Sequence, residues 1–311
     1  MRHARIYLDQ NIVGYLRDGV IDFSRVTGID WLYSNEHFNE ISRSGDRSFL
    51  EVFKKLKAQF IEIVLDEKLR ITDSTRIHPY SCPYKRYEHY IDAVGEVKID
   101  ESLFRSFLAR LNGADNYGDV LSVPEKLGLQ IKELLEPIGK WDSETAEAVG
   151  QVSADLDKMI RAQLSKTRPL ETLRKPLGTH KRIGNPKTDS PIAEIWELVS
   201  SKANGLTADQ FFGFNPLDKQ GYDTWPLYLG IIGCYSTLNF IGYRTDRNIA
   251  SEDAVANIIS DAVHIAHGAF CDGLMSEDRR LCLKARAIYK FKNINTHVLR
   301  LEIKKLGLQP N

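Results

Sequence analysis

Near the amino terminus, the order of apolar and polar positions predicts a strand that ends in an acid. An apolar run at 6–8 leads directly into Asp9. We predict a strand over about 5–9, a helix over about 11–18, and a second strand over about 29–34 that another helix follows. This alternation of strands and helices is typical of a parallel sheet.

The middle of the chain has a different pattern. Beyond residue 45 the apolar residues recur mostly at helical spacing, and glycines and prolines interrupt them. Two short stretches, 61–65 and 69–71, also fit extended structure. We therefore predict a mainly helical insertion over 46–249.

One segment of this insertion is free of charge over 20 residues, 224–243, which is long enough to cross a bilayer. It contains Pro226, Ser236, Asn239 and three glycines, a composition that suits lipid poorly. We predict a buried apolar helix near 226–243 and no membrane partner.

The α/β pattern resumes near residue 250. Ser251 is suited to cap a helix with an apolar face, although Ser260 is an alternative helix start. The elements predicted after this helix are a strand, a helix and a strand over about 273–276, 279–289 and 294–298. We assign 1–45 and 250–311 to one discontinuous α/β core.

Overall charge limits the ways in which the chain can bind nucleic acid. The 42 basic and 42 acidic residues cancel, so a nucleic-acid partner has to be held by a local basic patch. The segment 166–187 has seven basic residues and one acid, Glu171. Within it we predict Lys181 and Arg182 as phosphate contacts, and a solvated loop is the alternative.

The four cysteines form no CxxC pair and lack metal-ligand spacing, which is typical of reduced thiols. Arg2 and Arg5 are not followed by the apolar run of a secretory signal. We therefore expect a cytoplasmic protein.

Two acids follow predicted strands, where open α/β sheets bind their ligands. These are Asp9 and Asp278. After Asp261 the predicted helix continues for about 15 Å, and the strand that follows returns about 16 Å in the opposite direction. Asp261 should therefore lie at the same level of the sheet as Asp278. The alternative is that Asp9 and Asp278 only cap the helices that follow them.

A further pair of acids comes from the helix that Ser34 is expected to cap. Helical spacing places Glu36, His37 and Glu40 on one face of that helix. Two glutamates at this spacing repel each other, and a bound cation would reverse the sign of the interaction. The alternative is that Glu36 favours the positive helix end and Glu40 faces water.

The chemistry of these side chains suits a hard divalent cation, which prefers oxygen ligands. Buried carboxylates are costly to bring together unless a counter-charge lies between them. Two such ions about 4 Å apart can activate a water and stabilise the leaving oxygen of a phosphodiester.

The order of these motifs resembles that of the PIN-domain ribonucleases. Residues 9–13 look like the opening motif of that family, and 34–41 are similar to its second motif, a strand-end serine followed by the metal-binding glutamate. Residues 261–266 and 274–278 match its third and fourth acids. The likeness covers about 1–45 and 250–311, and here about 200 residues separate the second acid from the third.

The resemblance implies a PIN-like parallel sheet flanked by helices and an endonuclease that depends on Mg²⁺ or Mn²⁺. It implies hydrolysis of RNA, with single-stranded DNA as an alternative substrate. The catalytic, metal-binding acids would be Asp9, Glu40, Asp261 and Asp278. Glu36 is an additional acid that competes with Glu40 for the ligand role.

Other side chains have supporting roles in this hypothesis. Asn11 and Ser276 would orient the ligands or water. His37 and His264 are candidates for proton transfer or phosphate contact, although a single helical histidine is more often structural. The aromatic and basic run 84–90 is a further candidate substrate contact.

The main alternative to the enzyme is a catalytically inactive PIN-like module that binds RNA or a protein partner. None of the four acids is missing, which favours the enzyme. A haloacid-dehalogenase-type phosphatase needs a second aspartate where this chain has Asn11. A homo-oligomer or a regulatory protein partner is compatible with either hypothesis.

Overall fold

A six-stranded sheet organises the fold. The computed structural model describes residues 2–96, 101–137, 139–165, 169–179, 183, 186, 188–219, 221–245 and 251–303. The strands are β1 (Ala4–Leu8), β2 (Ile29–Tyr33), β3 (Gln59–Leu65), β4 (Ile71–His78), β5 (Gly273–Ser276) and β6 (His297–Arg300). Their spatial order is β4-β3-β2-β1-β5-β6, and β4 alone runs antiparallel to its neighbour.

Fourteen α-helices are assigned within the described ranges. The first seven are α1 (Gln10–Arg17), α2 (Asn35–Ser44), α3 (Phe49–Lys55), α4 (Pro83–Glu96), α5 (Glu101–Leu111), α6 (Tyr117–Val120) and α7 (Val123–Leu135). The others are α8 (Ser143–Met159), α9 (Pro169–Arg174), α10 (Pro191–Val199), α11 (Ala208–Phe211), α12 (Leu227–Ile241), α13 (Glu252–Gly268) and α14 (Arg279–Phe291). A π-helical turn over Ile160–Leu164 continues α8, and a 3₁₀ turn over Ser200–Lys202 continues α10.

The predicted α/β class and the mostly parallel sheet flanked by helices are confirmed. The sheet also extends into the range predicted as the insertion, because β3 pairs parallel with β2 and β4 pairs antiparallel with β3. The first residues beyond 45 with helical apolar spacing form α3, which begins at Phe49 and ends at Lys55, and Lys57 has a positive φ of 49°. Phe60, which also fits the helical spacing, therefore lies in β3.

Helices cover both faces of the sheet, and this explains why the central strands are apolar at successive positions. Tyr7 and Leu32 pack on one face with residues of α12, α13 and α14. Leu8, Trp31 and Tyr33 pack on the other face with residues of α1, α2 and α3. A smaller separate cluster joins residues of α5, α6, α7 and the π-helical turn.

Several local predictions are confirmed. Ser34 caps α2, and Ser251 caps α13 by accepting a hydrogen bond from the backbone N–H of Ala254. The charge-free segment forms the largely buried helix α12. Within the described residues, every helix is too short or too polar to cross a membrane. The last strand, β6, begins at His297, later than predicted.

Candidate acidic site

The four predicted acids face one cavity of about 330 Å³ beyond the carboxyl ends of β1 and β5. Asp9 follows β1, Glu40 belongs to α2, Asp261 belongs to α13, and Asp278 follows β5. The remaining lining residues are Gln10, Asn11, Ala254, Asn257, Ile258 and Arg280. Parallel pairing of β1 with β5 aligns Leu8 with Met275 and so brings the two strand ends together.

Asp9 is only 2% exposed, and neutral groups hold its carboxylate. Ser276 Oγ donates to Asp9 Oδ2 at 2.6 Å, and Asn11 Nδ2 lies 3.4 Å from the same oxygen. Although Asp9 occupies the N-cap position of α1, its side chain makes no capping hydrogen bond. Burial raises the pKa of this carboxyl. Simple helix capping therefore does not account for Asp9.

Asp278 does cap a helix. Its Oδ1 accepts hydrogen bonds from the backbone N–H groups of Arg280 and Leu281 at the start of α14. Its own N–H donates to Ser276 Oγ at 3.0 Å. Ser276 therefore links the two strand-end aspartates.

Glu40 pairs with a buried histidine. His264 Nε2 lies 3.2 Å from Glu40 Oε2 and 4.0 Å from Asp9 Oδ1. Burial alone would lower the pKa of His264, but Glu40, Asp9 and Glu36 outweigh it and raise the pKa to about 9. Burial by itself would raise the pKa of Glu40, but His264 and Ser260 lower it by a larger amount, and the resulting pKa is about 2. The pair is therefore charged at neutral pH.

A chain of hydrogen bonds continues from this pair into the core. His264 Nδ1 lies 2.9 Å from the Tyr7 hydroxyl, which lies 2.7 Å from Ser34 Oγ. A protonated imidazole donates from both ring nitrogens. His264 therefore donates to Tyr7, and Tyr7 donates to Ser34. This network fixes the ring of His264, and the ring in turn fixes Glu40.

Glu36 faces a different cavity. It lines a volume of about 630 Å³ between α2, α13 and the β3–β4 edge of the sheet. Ser260 Oγ lies 2.6 Å from both Glu36 Oε1 and Glu40 Oε1. Burial raises the pKa of Glu36, and the Ser260 hydroxyl, which has one proton, donates it to one of the two glutamates at a time. In this structure Glu40, and not Glu36, lines the acidic cavity.

The two histidines do not have the direct substrate contact that was predicted as one of their roles. His37 is fully buried, its Nδ1 accepts from the backbone N–H of Ser34, and its Nε2 donates to the carbonyl of Leu8. Burial and the neighbouring His264 lower the pKa of His37 to about 3. His264 is also fully buried. His37 therefore joins α2 to β1, and His264 positions Glu40.

The predicted phosphate contacts Lys181 and Arg182 lie outside the described residues. In the run 84–90, Tyr87 is buried in the core and the Tyr84 hydroxyl donates to Glu51. Arg86 stacks over Phe60. This part of α4 therefore packs against the fold.

Several polar residues have roles at the site that the sequence did not predict. Ser260 connects the two glutamates of α2, and the Tyr235 hydroxyl donates to Asp261 Oδ2 at 2.9 Å. Gln10 and Arg280 line the acidic cavity. Gln10 and Ser260 could have been found from the sequence, because they are the neighbours of Asp9 and Asp261 along the chain. Tyr235 gave none, because it lies in an otherwise apolar helix.

The donor set fits a hard cation, although the described residues contain no preformed cage of three or more His, Cys, Asp or Glu side chains. Mg²⁺ typically takes one or two carboxylates and keeps several waters, so such a cage is not required. Gln10 Oε1 is buried without a hydrogen-bond donor among the described residues. A buried acceptor without a donor is destabilising, and a cation or its water would satisfy it.

Comparisons of the chain with protein-family models, curated proteins and solved structures gave no match.

Proposed function

We propose that the protein is a PIN-like endonuclease that depends on Mg²⁺ or Mn²⁺ and hydrolyses phosphodiester bonds in RNA. One observation carries the proposal: Asp9, Glu40, Asp261 and Asp278, from four separate parts of the chain, line one cavity at the carboxyl edge of the sheet. This is the edge where open α/β sheets bind ligands.

The electrostatics of the cavity support a bound cation. The hydrogen bonds to Asp9 come from a hydroxyl and an amide, and its cationic neighbour His264 is shared with Glu40. Burial disfavours the charged form of Asp9. A divalent ion would favour that charged form, because an opposite charge nearby lowers the pKa of a carboxyl.

Asp9, Glu40, Asp261 and Asp278 would hold the metal, with Gln10 Oε1 as a further oxygen donor to the ion or its water. When bound, the metal supplies an activated water and stabilises charge on a phosphodiester oxygen. The protein keeps its acids in position: Ser276 and Asn11 hold Asp9, Tyr235 holds Asp261, and His264 with Ser260 holds Glu40. Arg280, at the rim, offers a guanidinium to a phosphate.

Cleavage of a labelled single-stranded RNA with Mn²⁺, compared with EDTA, tests the proposal. We expect cleavage with Mn²⁺ and a loss to the EDTA level in Asp9→Asn, because the uncharged amide is a weaker metal ligand. Asp115→Asn is the matched control, since Asp115 is exposed and does not line the acidic cavity. Equal cleavage by wild type and Asp9→Asn would disprove the assignment.

The non-catalytic RNA- or protein-binding module remains the second hypothesis, and one observation favours it. His264 and the start of α14 already compensate the charges of Glu40 and Asp278. A calorimetric titration with Mn²⁺, read together with the cleavage assay and with partner binding by Asp9→Asn, separates the two hypotheses. The enzyme binds the ion and Asp9→Asn binds it more weakly, whereas the module shows no Mn²⁺-dependent cleavage and keeps its partner in that variant.

A further inference from the structure

A second cavity, rich in arginine, adjoins the acidic one. It has a volume of about 580 Å³, and its cationic side chains are those of Arg244, Arg279, Arg280 and Arg300. Its other lining residues are Glu277, Asp278 and Leu283. Asp278 and Arg280 line both cavities, so the two share a wall. We call this second space the arginine cavity.

The charges of the arginine cavity are poorly balanced within the described residues. Four guanidinium groups face two carboxylates, an excess of two positive charges. Asp278 is engaged by backbone N–H groups of α14, and Glu277 hydrogen-bonds to the Tyr15 side chain. Arg300 pairs with Glu302, which lies outside the cavity lining. With Glu302 counted, four guanidinium groups face three carboxylates, so the cavity keeps an excess of one positive charge.

The local structure adds to this charge. Arg279 and Arg280 are the first two residues of α14, whose first turn contains no acid. The amino-terminal end of a helix is itself positive and favours acids; Asp278 supplies one as the cap, while the first turn supplies two arginines. The sequence thus places cations where the helix alone would favour acids.

Arg244 gives a second, independent observation. Its φ of 49° lies in the left-handed region, which is costly for a residue other than glycine. Its side chain hydrogen-bonds to the Tyr243 hydroxyl, but its Nε is buried without a hydrogen-bond acceptor among the described residues. A buried donor without an acceptor is destabilising, and a phosphate near this guanidinium provides acceptor oxygens.

We propose that the arginine cavity binds backbone phosphates of a single-stranded RNA next to the phosphodiester held in the acidic cavity. This inference rests on the proposed function and names how its substrate is held. Guanidinium groups match phosphate in a bidentate way, and a local cluster of them meets the need of a chain whose overall charge is zero. The shared wall at Asp278 and Arg280 would let one strand contact both cavities.

Fluorescence anisotropy in EDTA tests the inference separately from catalysis. The probe is a labelled oligouridylate of about 12 nucleotides, titrated at several salt concentrations. We expect the triple variant Arg244→Gln, Arg279→Gln, Arg300→Gln to bind at least about tenfold more weakly than wild type. The plot of log affinity against log salt should be less steep than that of wild type by about 2, since each of the three lost single-strand phosphate contacts contributes about 0.7.

A matched triple variant removes the same charge elsewhere. It is Arg25→Gln, Lys55→Gln, Lys126→Gln, at exposed positions that do not line the arginine cavity. It should keep the wild-type salt slope. Thermal unfolding checks that both triple variants are folded, and the single exposed change Arg279→Gln replaces the first triple if that variant unfolds.

The possible results separate this inference from the proposed function. Weaker binding by the arginine variant alone supports the arginine cavity, even if no RNA is ever cleaved. Equal binding by both triple variants, or no binding by wild type, overturns it, even if Mn²⁺-dependent cleavage is found. If inorganic phosphate displaces the probe at an equal concentration of phosphate groups, the cavity is a site for free phosphate, and this result also overturns the inference.

Discussion

The buried pair of Glu40 and His264 should make the metal-free protein less stable as the pH rises above neutral. Burial opposes protonation of His264, but the carboxylates around it raise its pKa from 6.5 to about 9. Between these two values the folded protein keeps a proton that the unfolded chain has released. By linkage, the free energy of unfolding falls with pH over this interval.

The size of the effect follows from the interval. One bound proton changes the free energy of unfolding by about 1.4 kcal/mol per pH unit. From pH 6.5 to about 9 this amounts to about 3 kcal/mol. The contribution of His264 is fully present below pH 6.5 and is lost as the pH rises through about 9. Its side chain is 1% exposed, so solvent provides little screening.

Urea unfolding in EDTA, followed by tryptophan fluorescence across this pH range, measures the effect. Wild type is compared with His264→Gln, because groups that titrate in both proteins cancel in the difference. His89→Gln, at an exposed position on α4, should follow wild type. Parallel loss of stability in wild type and His264→Gln would refute the reasoning. If His264→Gln does not fold, Glu40→Gln should flatten the pH dependence, since it removes the partner that raises this pKa most.

Three further changes test the packing around the site. Ser260→Ala should lower the free energy of unfolding by about 1–3 kcal/mol, since the hydrogen bonding of the hydroxyl to Glu36 and Glu40 is lost, and an unchanged urea midpoint would contradict this. Tyr235→Phe should weaken Mn²⁺ binding about 10–100-fold in calorimetry by removing the hydrogen bond that the hydroxyl donates to Asp261, and wild-type affinity would show that the hydroxyl does not position the acid. Gly268→Ala should destabilise by about 1–3 kcal/mol, because its Cβ would lie 3.0 Å from Leu274 Cβ, whereas Gly150→Ala, with open space around it, should not.

The elements that the sequence predicts well are those whose signals are local. Ser34 and Ser251 cap helices through backbone groups two or three residues away, and both caps are present. The strand that ends before Asp9 is a continuous apolar run, as expected for a strand covered on both faces. Membership of β3 and β4 in the sheet depends on pairing with β2, a contact between distant segments that periodicity does not encode.

The same distinction holds for the site. The predicted strand ends and the rise of the helix that contains Asp261 were enough to predict that Asp9, Asp261 and Asp278 lie close together, and all three line one cavity. The choice between Glu36 and Glu40 was not available from the sequence, because the two share one face of α2. It depends on where α13 places Ser260 and His264, which contact Glu40 from across the interface.

The distribution of charge around Asp278 argues for function more strongly than any single residue does. Acids kept only for stability would be expected to pair with the nearest cations, as Glu40 does with His264 and Arg43. Asp9 differs, because its hydrogen bonds come from neutral groups and its cationic neighbour His264 is shared with Glu40. The linings of the two cavities differ in sign: the acidic cavity has four carboxylates and one guanidinium, and the arginine cavity has four guanidinium groups and two carboxylates. A divalent cation in one cavity and phosphate groups in the other would supply both counter-charges, and a metal-dependent nuclease brings these two together on its substrate.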